Sequence, residues 1–372
     1  MLRKFLIFVL TALMLFCLST VAFALEANID EYDEEFDFES VINATDEETL
    51  RILNEIGITE ISFDSIFSVE PKKVFNALFN ITSEALREPM KFAFVSLGII
   101  VLSTLLSSFV KSSESVSLVG GSAIALCAAV PVAGVVTTAF SVLEALGFFT
   151  TAFAGVFCAV VSASGNITAG VSYSGFTVMA NALFSGLLTE FCMPVVNSMC
   201  ALGFLSCFDV FNFSTRFSQT VKKIYVFFMS FVGTVFSGII TIKGVLSDGA
   251  DSLTAKSIRF VVGRSLPVVG GTVSETYSAL VSSLALIKNT VGVFGIITVV
   301  VTVLPVLIEL LMWLLVLEIM ISVSESFGTS KALGMLNVFK DTLVLLVATV
   351  IIVATIFIVS VGVVIVVKGG GV

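Results

Sequence analysis

Residues 256–292 read KSIRFVVGRSLPVVGGTVSETYSALVSSLALIKNTVG. Long apolar runs flank this stretch. Yet it carries Lys256, Arg259, Arg264, Glu275 and Lys288, with Gly263, Pro267, Gly270 and Gly271 among them. It is too charged and too interrupted for an ordinary membrane-crossing helix, which needs about 20 mostly apolar residues. It is also too short and too poor in core residues for a soluble domain. Its reading decides how the chain is threaded through a membrane.

The surrounding composition fixes the class. Of 372 residues, 57% are apolar and 13% are charged. A soluble domain has roughly 45–50% apolar and about 25% charged residues. The fold class is therefore all-α, a polytopic integral membrane protein. The chain has no histidine, which removes imidazole as a catalytic base or metal ligand. The net charge of −9 is local: residues 26–70 hold fifteen acids against one base, Arg51. Such a segment is repelled by nucleic acid and by anionic lipid, so no nucleic-acid partner is expected. Cys17, Cys127, Cys158, Cys192, Cys200 and Cys207 form no CxxC pair and read as buried thiols.

Three parts follow along the chain. Residues 1–24 have a basic start (Arg3, Lys4), an apolar stretch and Ala22-Phe23-Ala24, the pattern of a signal peptide cleaved after Ala24. An uncleaved first span is the alternative. Either way Leu25 onward is delivered across the membrane. Residues 25–91 form an exported acidic segment with amphipathic helices. Within it, 25–44 are rich in acids and read as disordered. Thr45 and Glu48 make a capping box before a short helix that Gly57 ends. Pro71 starts a second helix with Val74, Leu78, Ile81 and Ala85 on one face. That helix lies on the outer lipid surface or packs in a small outer domain.

Residues 92–372 form the polytopic domain. Seven spans are expected, at 92–110, 119–141, 145–163, 176–206, 224–242, 291–317 and 342–367. With Leu25 outside, seven crossings put the C-terminus in the cytoplasm, and Lys243, Lys256, Arg259, Arg264 and Lys288 share one cytoplasmic connection. The stretch following Pro194 resembles the one following Pro305: each pairs a proline-bearing span with a Ser/Phe-rich hairpin, a return span and Lys-Gly. Two like halves or chance likeness both fit.

Four acids fall in or near these spans. Glu190 precedes Pro194 by four residues, and Glu309 follows Pro305 by four; Glu144 and Glu318 sit near the interface. A charge at mid-membrane costs at least ~2.5–3.5 kcal/mol. Glu190 and Glu309 are then either a polar lining at kinked helices or structural carboxyls, protonated or paired with a lysine. Small residues recur at four-residue spacing in three rows: Ala125, Ala129 and Ala133; Gly155, Ala159 and Ala163; Ala182 and Gly186. Such rows let helices approach closely, within one subunit or between copies in a homo-oligomer. No Walker, dinucleotide, GxGD or metal pattern occurs, so the chain reads as no enzyme, with no catalytic residues, metal site or cofactor.

The opening stretch divides at Pro267–Gly271. A polar helical piece precedes the break, and a piece with Tyr277, Leu280, Leu284 and Ile287 at helical spacing follows it. Re-entrant half-helices at 256–288, facing a polar path, are one reading; a pair of cytoplasmic surface helices is the other. Non-helical backbone at membrane depth must be buried in protein or line water. Candidates for a polar path or for helix packing are Glu190, Pro194, Arg259, Arg264, Pro267, Gly270, Gly271, Lys288, Pro305 and Glu309.

Residues 252–296, SLTAKSIRFVVGRSLPVVGGTVSETYSALVSSLALIKNTVGVFGI, closely resemble the signature region of the stage III sporulation protein AE family of endospore-forming bacteria. The resemblance extends to the signal sequence, the span order, TIKG before the region and the final pair of spans, over roughly 90–372. The hairpin NFSTRFSQTVKK at 212–223 is shorter than the family pattern leads one to expect. The resemblance implies a non-enzymatic membrane subunit of the channel or secretion-like complex between mother cell and forespore, required for forespore development. It also implies operon partners, among them a secretion-type ATPase and ring-forming proteins, and a forespore membrane partner. The location implied is the mother-cell membrane facing the forespore, N-terminus outside the cytoplasm. An independent secondary transporter of a small solute is the alternative that the paired Pro/Glu spans allow.

Overall fold

In a bilayer every backbone N–H and C=O must be satisfied within the chain, so apolar runs of this length become helices. A computed structural model describes residues 36–62, 65–66, 68–109, 113–206, 213–265 and 270–366, without the side chains of 113–114, 213, 244–282 and 330. The signal peptide at 1–24, with 25–35, lies outside the described residues. The helices are α1 (Phe38–Asn43), α2 (Glu47–Ile56), α3 (Pro71–Phe109), α4 (Ser113–Ala163) and α5 (Ile167–Leu187). After a π-helical turn at Leu188–Cys192 come α6 (Met193–Leu205), α7 (Phe213–Ser265), α8 (Gly270–Ser326) and α9 (Ser330–Val366). No strand occurs among the described residues.

Six of these stretches are long and apolar enough to cross a membrane. The count of seven expected from sequence is not reached, because 119–141 and 145–163 are one helix, α4. The residues between them, Ser141-Val142-Leu143-Glu144, contain good helix formers and no turn-forming pair. At about 1.5 Å per residue, α4 is roughly 75 Å long. That exceeds a hydrocarbon core of about 30 Å, so the bundle is longer than the slab it crosses. The other spans also extend beyond their expected bounds. The span at 92–110 continues the Pro71 helix through Pro89, instead of following a separate surface helix. The span at 176–206 begins at Ile167; those at 224–242 and 291–317 lie within α7 and α8, and the described part of 342–367 lies within α9.

α9 is the hub. Both α7 and α8 pack along it, and α4, α5 and α6 also touch it. Met335, Leu336, Phe339, Leu343, Leu346 and Val350 on α9 are fully buried. In lipid, tight packing holds helices together, since lipid tails are as apolar as leucine. Glycines permit the closest approaches. A Cβ on Gly295 would run into the Phe153 ring, one on Gly203 into the Phe339 ring, and one on Gly292 would lie 2.6 Å from Ile365. The sequence-level rows of small residues are not these contacts: Gly155, Ala159, Ala163, Ala182 and Gly186 are exposed. Pro194 lies in α6, which touches α7, and Pro305 lies in α8, which packs along α9; the two helix pairs pack on each other through Gly203, Phe204 and Phe339.

Several threonine hydroxyls inside the bundle are satisfied locally. Thr298 donates to the Phe294 carbonyl at 2.9 Å, Thr342 to Val338 at 2.9 Å and Thr349 to Leu345 at 2.9 Å. This back-bonding lets threonine sit in an apolar helix with no orphaned donor.

Part of the acidic segment is folded. Residues expected to be disordered form α1, with Phe38 and Val41 buried and the Phe36 and Phe38 rings 6.0 Å apart. The aromatics supply the burial that acidic composition alone does not predict. α1 packs on α4, and α2 packs on α3 and α8. The cap of α2 is Asp46, not Thr45: its carboxylate accepts from the Thr49 N–H at 3.0 Å. Gly57 ends α2 at φ 101°, a left-handed conformation that suits glycine.

Candidate functional site

The candidate residues divide between two proline-bearing regions and the 256–288 stretch. Pro194 has no N–H, so the Glu190 carbonyl four residues earlier loses its helical donor. The chain answers with the π turn at Leu188–Cys192, where the Met193 N–H reaches back five residues to the Leu188 carbonyl. Such turns are frequent at functional positions. The turn is braced on one side only. Phe191 stacks on Tyr225 at 5.7 Å, and the Tyr225 hydroxyl meets Thr349 Oγ1 at 2.6 Å. Glu190 points to the exposed side and has no ion pair among the described residues.

Pro305 sits inside an uninterrupted α8. Here α2 of the acidic segment meets the bundle. The Thr49 hydroxyl lies 2.7 Å from Asp46 Oδ1 and 3.0 Å from Thr302 Oγ1, which itself donates to the Thr298 carbonyl at 2.8 Å. A pocket of 230 Å³ opens beside this contact, with Asp46, Glu48, Glu84, Glu88 and Glu309 on its walls. Glu309 is half-buried and, among the described residues, has no lysine partner. Glu309 shares the wall of this pocket with Thr302 and Pro305. Glu190 lines neither this pocket nor the larger cleft beside α4, so the two carboxyls do not face one path.

The opening stretch is helical on both sides of 266–269. Arg259 and Arg264 lie on the last turns of α7, and Gly270 and Gly271 open α8. The two half-helices expected there are thus the ends of two long helices. Pro267 falls outside the described residues. Lys288 lies on α8, 3% exposed and engaged with its surroundings.

Sequence reading missed the best-defined charged cluster. Asp341 on α9, 2% exposed, accepts from Ser218 Oγ at 3.0 Å and pairs with Lys222, both on α7. One residue away, Lys340 pairs with Glu318 of α8 at 2.9 Å. The available signal was a lone acid at the head of an apolar run, with lysines late in the preceding hairpin. The cluster ties the two hairpins together by charge where packing alone is weakly directional.

A sequence model described as stage III sporulation protein AE matches residues 55–368, which include all six membrane-length helices. The chain belongs to the stage III sporulation protein AE family. A curated stage III sporulation protein AE from Bacillus subtilis (strain 168) is 25% identical over 138 residues. That alignment covers 37% of this chain and 34% of the relative, so the chain aligns with about a third of the curated protein's length. No solved structure matches. Family membership gives the chain a role in sporulation, and its apolar helices make it a multi-pass membrane protein. For this stage III sporulation protein AE family member, the features to be explained are the exposed glutamate on an interrupted helix, the docked acidic segment and the charge tie between hairpins.

Proposed function

We propose that the chain is a non-enzymatic membrane subunit of the sporulation channel or secretion-like complex connecting mother cell and forespore. The observation that carries this reading is the family match across 55–368, which takes in the bundle and not one isolated motif. Its partners in this reading are the operon's secretion-type ATPase and ring-forming proteins, and a forespore membrane partner. The exposed small-residue rows on α4 and α5 would receive neighbouring helices, from a partner or from a second copy. The chain sits in the mother-cell membrane, its acidic segment on the side away from the cytoplasm. Six crossings, in place of seven, bring the end of α9 out on that same side.

Affinity purification of a tagged chain from sporulating cells tests the assignment. Retention of the ATPase and ring proteins, and loss of forespore development on deletion, is the expected result. Solute uptake by vesicles holding this chain alone, with no partner retained, would establish the transporter reading instead. The orientation is tested in the same strains with reporters placed near Glu39 and after Val366. Reporters on opposite faces would refute six crossings.

A further inference from the structure

A second, larger cleft of 420 Å³ lies between α4, α5 and α9. Its floor is apolar, with Val353, Ile356 and Phe357 of α9. One wall carries a polar seam: Thr150 and Thr151 of α4 face Thr177, Asn181 and Ser185 of α5. Asn181 is held by α4, its amide donating to the Gly147 carbonyl at 2.7 Å and to Thr151 Oγ1 at 2.5 Å. Thr177 is 6% exposed, and its hydroxyl has no partner in hydrogen-bonding geometry. Tyr173, which interacts with it one turn earlier, is unsatisfied too. The two hydroxyls face each other outside good hydrogen-bond geometry, so an occupant offering an acceptor would improve on the partner that Thr177 has.

The surroundings of the mouth say what that occupant is. Phe148 at the rim is 66% exposed, and Val178, Met179 and Leu183 on the outer face of α5 are 51%, 49% and 53% exposed. Large apolar side chains this open, on a membrane-length helix, face acyl chains, so the molecule that reaches the mouth comes from the bilayer. Charge narrows the choice. Glu144 lines the cleft, is exposed and has no ion pair among the described residues. Lys243 lies 5.5 Å from the ring centroid of another lining residue, Phe176. At the Glu144 end of the cleft the carboxylate repels a phosphate but accepts hydrogen bonds from hydroxyls.

We propose that this cleft binds a neutral glycerolipid. One acyl chain lies on Ile356 and Phe357. The ester and hydroxyl oxygens run along Thr177, Asn181 and Ser185, where the Thr177 hydroxyl donates to an ester carbonyl. A free hydroxyl of the glycerol donates to Glu144. The volume falls within the roughly 300–1,000 Å³ of small-molecule sites and takes one chain, leaving the second in the bilayer.

The test uses the full-length protein, purified in mild detergent, stripped of lipid and offered equal amounts of dioleoylglycerol and dioleoylphosphatidylglycerol. Native mass spectrometry reads the adducts. Dioleoylglycerol is retained in roughly tenfold excess. Thr177→Val lowers that retention several-fold, and Ala180→Phe, which fills the cleft, abolishes it. Glu144→Gln, which removes the charge, lets phosphatidylglycerol compete and narrows the preference for dioleoylglycerol. Equal or stronger retention of phosphatidylglycerol by the unaltered protein overturns the proposal. So does a neutral adduct that survives both Thr177→Val and Ala180→Phe in proteins with unchanged helical circular dichroism. Should Ala180→Phe fail to fold, Thr177→Val and Glu144→Gln decide alone: unchanged adducts in both refute the site.

Discussion

Asp341 and Lys222 offer the sharpest test of how the bundle is held. The Asp341 carboxylate is 3% exposed, whereas the Lys222 side chain is 27% exposed. The two truncations should therefore differ. Lys222→Ala strands a buried carboxylate with the Ser218 hydroxyl as its remaining partner. Removing one member of a buried pair costs about 3–5 kcal/mol, and this variant belongs at that level. Asp341→Ala strands a lysine whose long stem can carry its ammonium toward polar surroundings, so the cost is nearer 1–3 kcal/mol. Replacing both with apolar residues, Lys222→Met with Asp341→Leu, removes the desolvation penalty along with the attraction. Exchanges of that kind are often neutral or stabilising. The double variant should thus lie closer to the parent than Lys222→Ala does. Equilibrium unfolding in mixed micelles of mild detergent and dodecyl sulfate measures all four proteins. The reasoning fails if the two truncations cost the same, or if the apolar pair is as unstable as the sum of the truncations, since contacting residues that act as a pair must couple.

Two further outcomes follow. Gly295→Ala drives a methyl group into the Phe153 ring and should cost about 1–3 kcal/mol in the same assay, recovered in part by Phe153→Leu; an unaffected single variant would mean that α4 and α8 are not in close contact. Asp46→Ala removes the cap of α2 and one partner of the Thr49 hydroxyl, a loss of about 0.5–2 kcal/mol that should appear as faster hydrogen exchange in 47–56 with no change in α9; uniform exchange across both would show that the segment is not capped in this way.

The helical class, the family and the end of α2 at Gly57 could all be read in the sequence. Each rests on a local signal: apolar run length, an ordered block of charged and glycine positions, or a backbone breaker. Three features could not be read. Glu144 suggested a boundary between two spans, but a single carboxylate does not end a helix when its neighbours favour helix and no turn residue follows. Residues 36–44 suggested disorder, because acid content outweighs two phenylalanines in any compositional measure, while burial depends on where those two rings land. The tie at Asp341 joins residues more than a hundred positions apart and has no local signature. The exposed rows of small residues show the same limit, since spacing marks a surface fit for close approach and says nothing about what approaches it.

The hub helix, α9, is also the last of the described helices to leave the ribosome. Synthesis proceeds at about 5–20 residues per second, so α3 to α8 wait in the membrane for many seconds before their centrepiece arrives. During that interval Phe153, Phe204 and the Lys222 ammonium lack their final partners. Assembly is thereby made conditional on finishing translation: a product that stops before residue 330 inserts its helices yet has nothing to wrap around. It would be an obvious substrate for membrane quality control.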